Sequence, residues 1–324
     1  MTTNQATIRT KHNASDAPPD MVWIAGGEFQ MGSDKHYREE APSHRVQVAG
    51  FFLDRYLVTN RQFAAFVAAT RYITVAERPL RAEDYPGATP DRLQPGSMVF
   101  RPTRGPVDLR DFRNWWEWKQ GAYWRHPEGR GSSVAARLDH PVVHVAFEDA
   151  EAYAHWAGKA LPTEAEWEFA ARGGLDGAEF AWGKELTPSG RQMAHTWSGD
   201  FPWQNTHPEG LRRTAPIGHY PPNGYGLYDM IGNVWEWTTD WFASKHFYNA
   251  EHPCCVPQNP RGGSVDASYD PNQPDVRIPR KVVKGGSFLC APTYCRRYRP
   301  AARHAQMIDT GMSHVGFRCI VRPS

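Results

Sequence analysis

The sequence predicts one α+β domain, low in regular secondary structure. Three observations carry that prediction. The chain of 324 residues holds 27 prolines and 28 glycines, which cut it into short pieces. Thirteen tryptophans supply large side chains to fill the space between such pieces. Helical periodicity with recognisable caps occurs in three segments, and neither a repeat nor a linker divides the chain.

Residues 1–19 read as a disordered leader and residues 20–324 as the domain. The leader is polar and lacks the apolar centre of a secretory signal. No run approaches the ~18 apolar residues of a membrane-spanning helix. A cytoplasmic location is expected, where cysteines stay reduced.

The first element, "MVWIAGGEFQMGSD", reads as two short strands around the Gly26-Gly27 turn. "HRVQVAGFFLDRYLVT" reads as a further strand pair broken at Gly50. In "TNRQFAAFVAAT" Phe63, Phe66 and Val67 share a helical face, and Thr59 or Asn60 can cap it. Residues 78–140 show little periodicity and many Pro, Gly and Arg, so they read as a long ordered loop region.

"EDAEAYAHWAGK" is the second helix, with Ala150, Tyr153, Ala154 and Ala157 on one face and Gly158 past its end. "LPTEAEWEFAARGG" is the third. There Thr163 and Glu166 form a capping box, and Gly173-Gly174 ends the helix. "NGYGLYDMIGNVWEWTTDW" is rich in Gly and Trp. Residues 243–281, with Cys254 and Cys255, read as a polar insertion of no assigned role. "KVVKGGSF", "CRRYRPAAR" and "VGFRCIV" read as closing strands.

A net charge of +2 gives no reason to expect nucleic acid or an acidic membrane as partner. The run Arg296, Arg297, Arg299, Arg303 is expected to pair with carboxylates inside the fold. Five cysteines, an odd number, argue against a disulfide framework.

Two of the cysteines, Cys290 and Cys295, lie five apart after Gly285-Gly286. On a helix they would point about 140° apart. On a strand they would sit on opposite faces, about 16 Å apart. A loop can bring them together, and Pro292 between them disfavours both regular alternatives. Arg296, Arg297 and Arg299 would favour their thiolate forms. Spacing alone leaves three readings open: two unrelated core thiols, a redox pair, or a site for a soft metal such as Cu(I).

Five segments occur in order: "MVWIAGGEFQMGSD", "HPVVHVAFEDAEAYAHWAGKALPTEAEWEFAARGG", "PPNGYGLYDMIGNVWEWTTDW", "VVKGGSFLCAPTYCRRYRPAAR" and "VGFRC". From Asp20 to Arg322 the chain resembles the formylglycine-generating enzymes, or sulfatase-modifying factors. The resemblance implies an elaborated C-type-lectin-like fold. It implies aerobic, copper-dependent oxidation of a cysteine in a Cys-X-Pro-X-Arg segment of an unfolded sulfatase to Cα-formylglycine, by a monomer using O2. Cys290 and Cys295 would hold Cu(I) as a dithiolate. Ser287 matches an active-site serine, Trp235 a tryptophan of the same pocket, and Tyr294 borders it.

The resemblance also implies Ca(II). One set of positions is Asp229, the Gly232 and Val234 carbonyls, and Glu236. A second is His195, the Thr196 carbonyl, Glu209 and the Leu211 carbonyl. His195 stands where asparagine is usual, and neutral imidazole is a poor Ca(II) ligand, which weakens the second set. His314 is another departure, since asparagine often precedes the apolar-Gly-Phe-Arg run. It would hydrogen-bond at the cleft or lie at the surface. Other readings are a non-catalytic paralogue that binds sulfatases or other proteins, a metal-free thiol–disulfide catalyst, and an iron sulfoxide synthase. The last lacks its HxxxHxE motif here.

Overall fold

A computed structural model describes residues 18–246 and 256–323. Most of the leader, and Cys254 with Cys255, lie outside the described residues.

Eleven short strands and three helices are set among the loops of the described chain. The first sheet joins β1 (Met21–Ile24), β4 (Phe51–Asp54) and β11 (Ile320–Val321), with β4 in the middle. β2 (Gly27–Met31) pairs with β3 (His44–Val48). β5 (Gly96–Phe100) pairs with β6 (Trp116–Gln120). The largest sheet orders β10 (Val315–Gly316), β7 (Trp235–Trp241), β8 (Arg280–Lys284) and β9 (Arg303–Met307), with β10 parallel to β7 and the rest antiparallel.

The expected strands on either side of Gly26-Gly27 and of Gly50 exist, but neither pair is a hairpin. β1 and β2 belong to different sheets, as do β3 and β4. A Cβ on Gly26 would stand 2.5 Å from the Val48 carbonyl, so two chains cross closely where the sheets part.

All three helices form where periodicity placed them. In α1 (Asn60–Thr70) Thr59 Oγ1 accepts from Gln62 N–H at 3.2 Å, and Gln62 Oε1 accepts from Thr59 N–H at 2.9 Å. α2 runs Phe147–Trp156, and its Asp149 caps Ala146 N–H at 2.8 Å. α3 (Glu164–Arg172) has the expected Thr163–Glu166 box and ends at Gly173 in the left-handed region.

Two expectations fail. Residues 78–140 are not all loop, because β5 and β6 form a ribbon with Phe100 opposite Trp116 and Met98 opposite Trp118. The alternating tryptophans of "WEWKQ" were the signal. "CRRYRPAAR" is not a strand, since β9 starts only at Arg303. Pro300 has no N–H to give a ladder, and the arginines reach back to separate acids: Arg297 to Glu39, Arg299 to Glu40 and Arg303 to Glu164. The pairing expected of the arginine run is thus met.

The main core gathers Phe63 and Phe66 of α1, Tyr153 of α2, Trp167 of α3, Trp235 and Trp237 of β7, and Cys290. Every residue of α3 is buried, its acids included. Each acid has a cation: Arg303 for Glu164, Arg322 for Glu166, and Arg172 with Lys284 for Glu168. Such pairs are costly to break singly, so α3 fixes both strands that flank the loop described next. Among the described residues no helix is long and apolar enough to cross a membrane.

Candidate active site

β8 ends at Lys284, whose ammonium lies 2.9 Å from Glu168 and 3.5 Å from Glu164. Gly285 and Gly286 then turn the chain with φ of +91° and +72°, a region that favours glycine. Space demands it as well. A Cβ on Gly285 would meet the Met230 carbonyl at 2.8 Å and Trp167 at 3.1 Å, and one on Gly286 the Arg297 carbonyl at 2.8 Å.

Two turns follow. Cys290 N–H donates to Ser287 O, and Cys295 N–H to Ala291 O, each at 2.9 Å. Together they bring the two Sγ atoms to 3.3 Å, with both thiols free. The loop geometry therefore rules out two unrelated core thiols.

Cys290 is buried, and burial pushes its thiol well up. Cys295 is pulled down to about 6, first by the hydrogen bond from Cys290 and then, against burial, by Arg297. Both shifts favour the proton on Cys290 and the negative charge on Cys295. Arg297 Nη1 stands 4.0 Å from Cys295 Sγ. It is steered there by Glu39 at 2.6 Å and by the Tyr37 ring at 3.7 Å. The other two arginines do not serve the thiols: Arg299 is spent on Glu40 and Arg296 faces Glu179 at 3.6 Å.

Ser287 N–H points at Cys290 Sγ, 3.5 Å away. Its hydroxyl accepts from Leu289 N–H at 3.3 Å and lies 3.1 Å from His314 Nδ1. Tyr294 stacks flat on Phe201 with centroids 4.5 Å apart, edge-on to Trp115, and is 39% exposed. Trp235 is buried at the start of β7. Its N–H donates to the His314 carbonyl at 2.8 Å and its ring lies against His304. Ser287, Cys290, Tyr294 and Cys295 thus share one loop, and Trp235 joins them through His314. A cleft of about 230 Å³ opens beside the loop, lined by Trp182, Leu186, Met193, Trp197, Pro292 and Thr293.

Among the described residues no three His, Cys, Asp or Glu side chains converge on a point. The dithiol therefore offers a metal two protein donors. Structural zinc normally takes four, whereas paired thiolates suit a soft ion such as Cu(I). The residues fit copper.

The first calcium set fits as well. Burial pushes the Asp229 carboxyl up to about 6, and its Oδ2 accepts from Gly218 N–H at 2.7 Å. It forms no salt bridge among the described residues, so a cation would supply the missing countercharge. Glu236 is held by Arg318 at 2.7 and 2.9 Å and by Trp167 Nε1 at 2.8 Å. Its Oε1 accepts only one of these bonds and keeps a lone pair. Gly232 lies between the two, with φ +76°.

The second set does not fit. His195 is buried, and with its Nε2 on the Arg213 carbonyl at 2.5 Å it has only the imidazole Nδ1 to offer, a poor donor for Ca(II). The Thr196 carbonyl, which a cation would need, already accepts from His207 Nε2 at 2.7 Å. Glu209 and Leu211 sit in a short 3-10 turn whose residues are not buried.

Sequence reasoning placed Arg297 near the thiols, with Arg296 and Arg299, but missed the clamp of Tyr37, Glu39 and Glu40. Some 250 residues separate these from the loop, and acids at the start of a chain carry no mark of such a partner. His314 was singled out only by its departure from asparagine.

The sequence matches the family described as sulfatase-modifying factor enzyme 1-like domain over residues 6–323. It is 53% identical over 305 residues to a formylglycine-generating enzyme of Mycobacterium tuberculosis, covering 94% of this chain and 98% of that protein. A formylglycine-generating enzyme of Thermomonospora curvata is 46% identical, covering 94% and 93%. An inactive C-alpha-formylglycine-generating enzyme 2 of Mus musculus is 34% identical, covering 93% and 85%. In fold the chain is similar to PvdO from Pseudomonas aeruginosa, with TM-score 0.59 at 22% identity over 94% of each chain. The chain belongs to the sulfatase-modifying factor enzyme 1-like family.

Proposed function

We propose that this protein oxidises a cysteine of a sulfatase polypeptide to Cα-formylglycine. The observation that carries the reading is the free dithiol, Cys290 and Cys295 at 3.3 Å, in a chain about half identical to formylglycine-generating enzymes. The relative named inactive is more distant.

In the reaction the thiol-bearing methylene of the substrate cysteine becomes an aldehyde, and its sulfur leaves as hydrogen sulfide. O2 takes four electrons, two from the substrate carbon and two from a thiol reductant, and ends as water. Copper held by Cys290 and Cys295 would supply the one-electron chemistry that lets O2 react with a thiol. The chain's own part is to prepare and orient. The hydrogen bond from Cys290 and then Arg297 lower the Cys295 thiol towards its thiolate form, and both thiols would have to be deprotonated to hold a soft cation. Arg297 balances the charge left on Cys295. Tyr294, flat on Phe201 and half open, is a platform for an extended Cys-X-Pro-X-Arg segment. Calcium at Asp229, the Gly232 and Val234 carbonyls and Glu236 would be a structural support at the start of β7.

The test is peptide turnover. The Cu(I)-loaded protein is incubated with Leu-Cys-Thr-Pro-Ser-Arg, O2 and a thiol reductant, and the peptide mass is read. Exchange of one sulfur and two hydrogens for one oxygen, needing both copper and Cys290, supports the reading. An unchanged peptide after verified copper loading overturns it.

A further inference from the structure

His314 occupies the position just before β10, where the chain enters the parallel pairing with β7. It makes three contacts at once. Its carbonyl accepts from Trp235 N–H at 2.8 Å. Its Nδ1 lies 3.1 Å from Ser287 Oγ. Its ring stands edge-on to Trp116, centroids 4.7 Å apart at 65°. One residue therefore touches both a residue of the dithiol loop and the tryptophan beside it, and neither thiol.

The hydroxyl of Ser287 has one proton and two lone pairs, and it rotates to suit its neighbours. Leu289 N–H uses one lone pair. Without His314 the remaining proton and lone pair can swing freely beside Cys290, whose Sγ accepts from the same serine's N–H. With His314 the second direction is fixed, and only one is left to face the reacting atoms. Catalysis by a polar group depends on such prior orientation, because a donor that must reorganise loses most of its worth.

We propose that His314 is a positioning residue for the oxidation: its Nδ1 sets the direction of the Ser287 hydroxyl, while its carbonyl sets the start of β7 at Trp235. The inference rests on the function proposed above. Desolvation lowers the His314 imidazole to about 3, which favours the neutral ring.

The experiment compares peptide oxidation by wild type, S287A, H314F, H314N and the S287A/H314F double variant. Phenylalanine keeps the ring contact with Trp116 and loses Nδ1. H314F should melt near wild type, lower kcat about tenfold or more, and leave KM for the peptide within about twofold. H314N should recover most of the loss. The double variant should be no slower than S287A, because His314 acts through the serine. Full activity of H314F, or single losses that multiply in the double variant, overturns the proposal.

A second reading needs no turnover. In imidazole 15N spectra the His314 Nδ1 resonance, assigned by its loss in H314N, should move when Ser287 becomes alanine. An unmoved resonance overturns the proposal even if the chain oxidises no peptide, and an inactive wild type with a moved resonance overturns only the functional reading.

Discussion

Arg299 grips Glu40 with both terminal nitrogens, at 2.7 and 2.5 Å, and both side chains are almost wholly shut off from solvent. The same guanidinium donates through Nε to the Arg296 carbonyl at 2.8 Å. A pair that stiffens the N-terminal third thus also holds the backbone just past Cys295. Glu40→Gln leaves the guanidinium buried without its countercharge and should cost about 3–5 kcal/mol. Chemical denaturation measures it. A loss under about 1 kcal/mol would mean that water reaches the pair.

Cys290→Ala and Cys295→Ala should each lower turnover by roughly 10³-fold or more, as removal of a reacting group does. Neither thiol is in a disulfide, so both variants should keep the wild-type circular dichroism spectrum. Peptide turnover checks the first statement, and substantial residual activity in either variant would dismiss the dithiol site.

Stability should fall in acid through Glu168. Burial opposes its ionisation, but Lys284 and Arg172 outweigh burial and hold the carboxyl at about 2, against 4.5 for a free side chain. A carboxyl lowered by folding contributes fully above its unfolded value and loses that contribution as pH drops towards its folded one. The window is therefore pH 4.5 down to 2, and the contribution is on the order of 3 kcal/mol. Thermal midpoints across that window should drop steeply in wild type. In Glu168→Gln they should start lower and drop less.

Calcium should bind with at most one ion per chain. Asp229 and Glu236 can accept it, whereas at the second place the Thr196 carbonyl is already taken by His207 and His195 offers only an imidazole nitrogen. Equilibrium dialysis against Ca(II) counts the ions. Two saturable ions would show that His207 yields the Thr196 carbonyl.

Tyr294→Ala should raise KM for the substrate peptide about tenfold, the worth of one aromatic contact, and change kcat much less. Steady-state kinetics separates the two. A fall in kcat alone would place the ring at the chemistry rather than under the peptide.

Much of the fold was legible because local signals were strong. The Thr59, Thr163 and Gly173 caps and the spacing of Phe63 with Phe66 located α1 and α3 within a residue or two. Pairing was less legible. Nothing local says that β1 joins β4 rather than β2, because that choice follows from how Gly26 passes Val48. The thiols could be found from spacing, glycines and family resemblance. Arg297's partners Glu39 and Tyr37 could not, since long-range ion pairs leave no periodicity. His314 shows the intermediate case, in which a departure marks a position and only coordinates give it a task.

The seat of Gly285 against Trp167 has a consequence for how the loop moves. With the Met230 carbonyl and an indole of the core leaving no room for even a Cβ, this turn is expected to resist local hinging. Amides from Gly286 to Cys290 should then exchange with solvent deuterium only when the β7–β8 sheet itself gives way, as members of one cooperative unit. The dithiol would keep its spacing through every smaller fluctuation of the native ensemble.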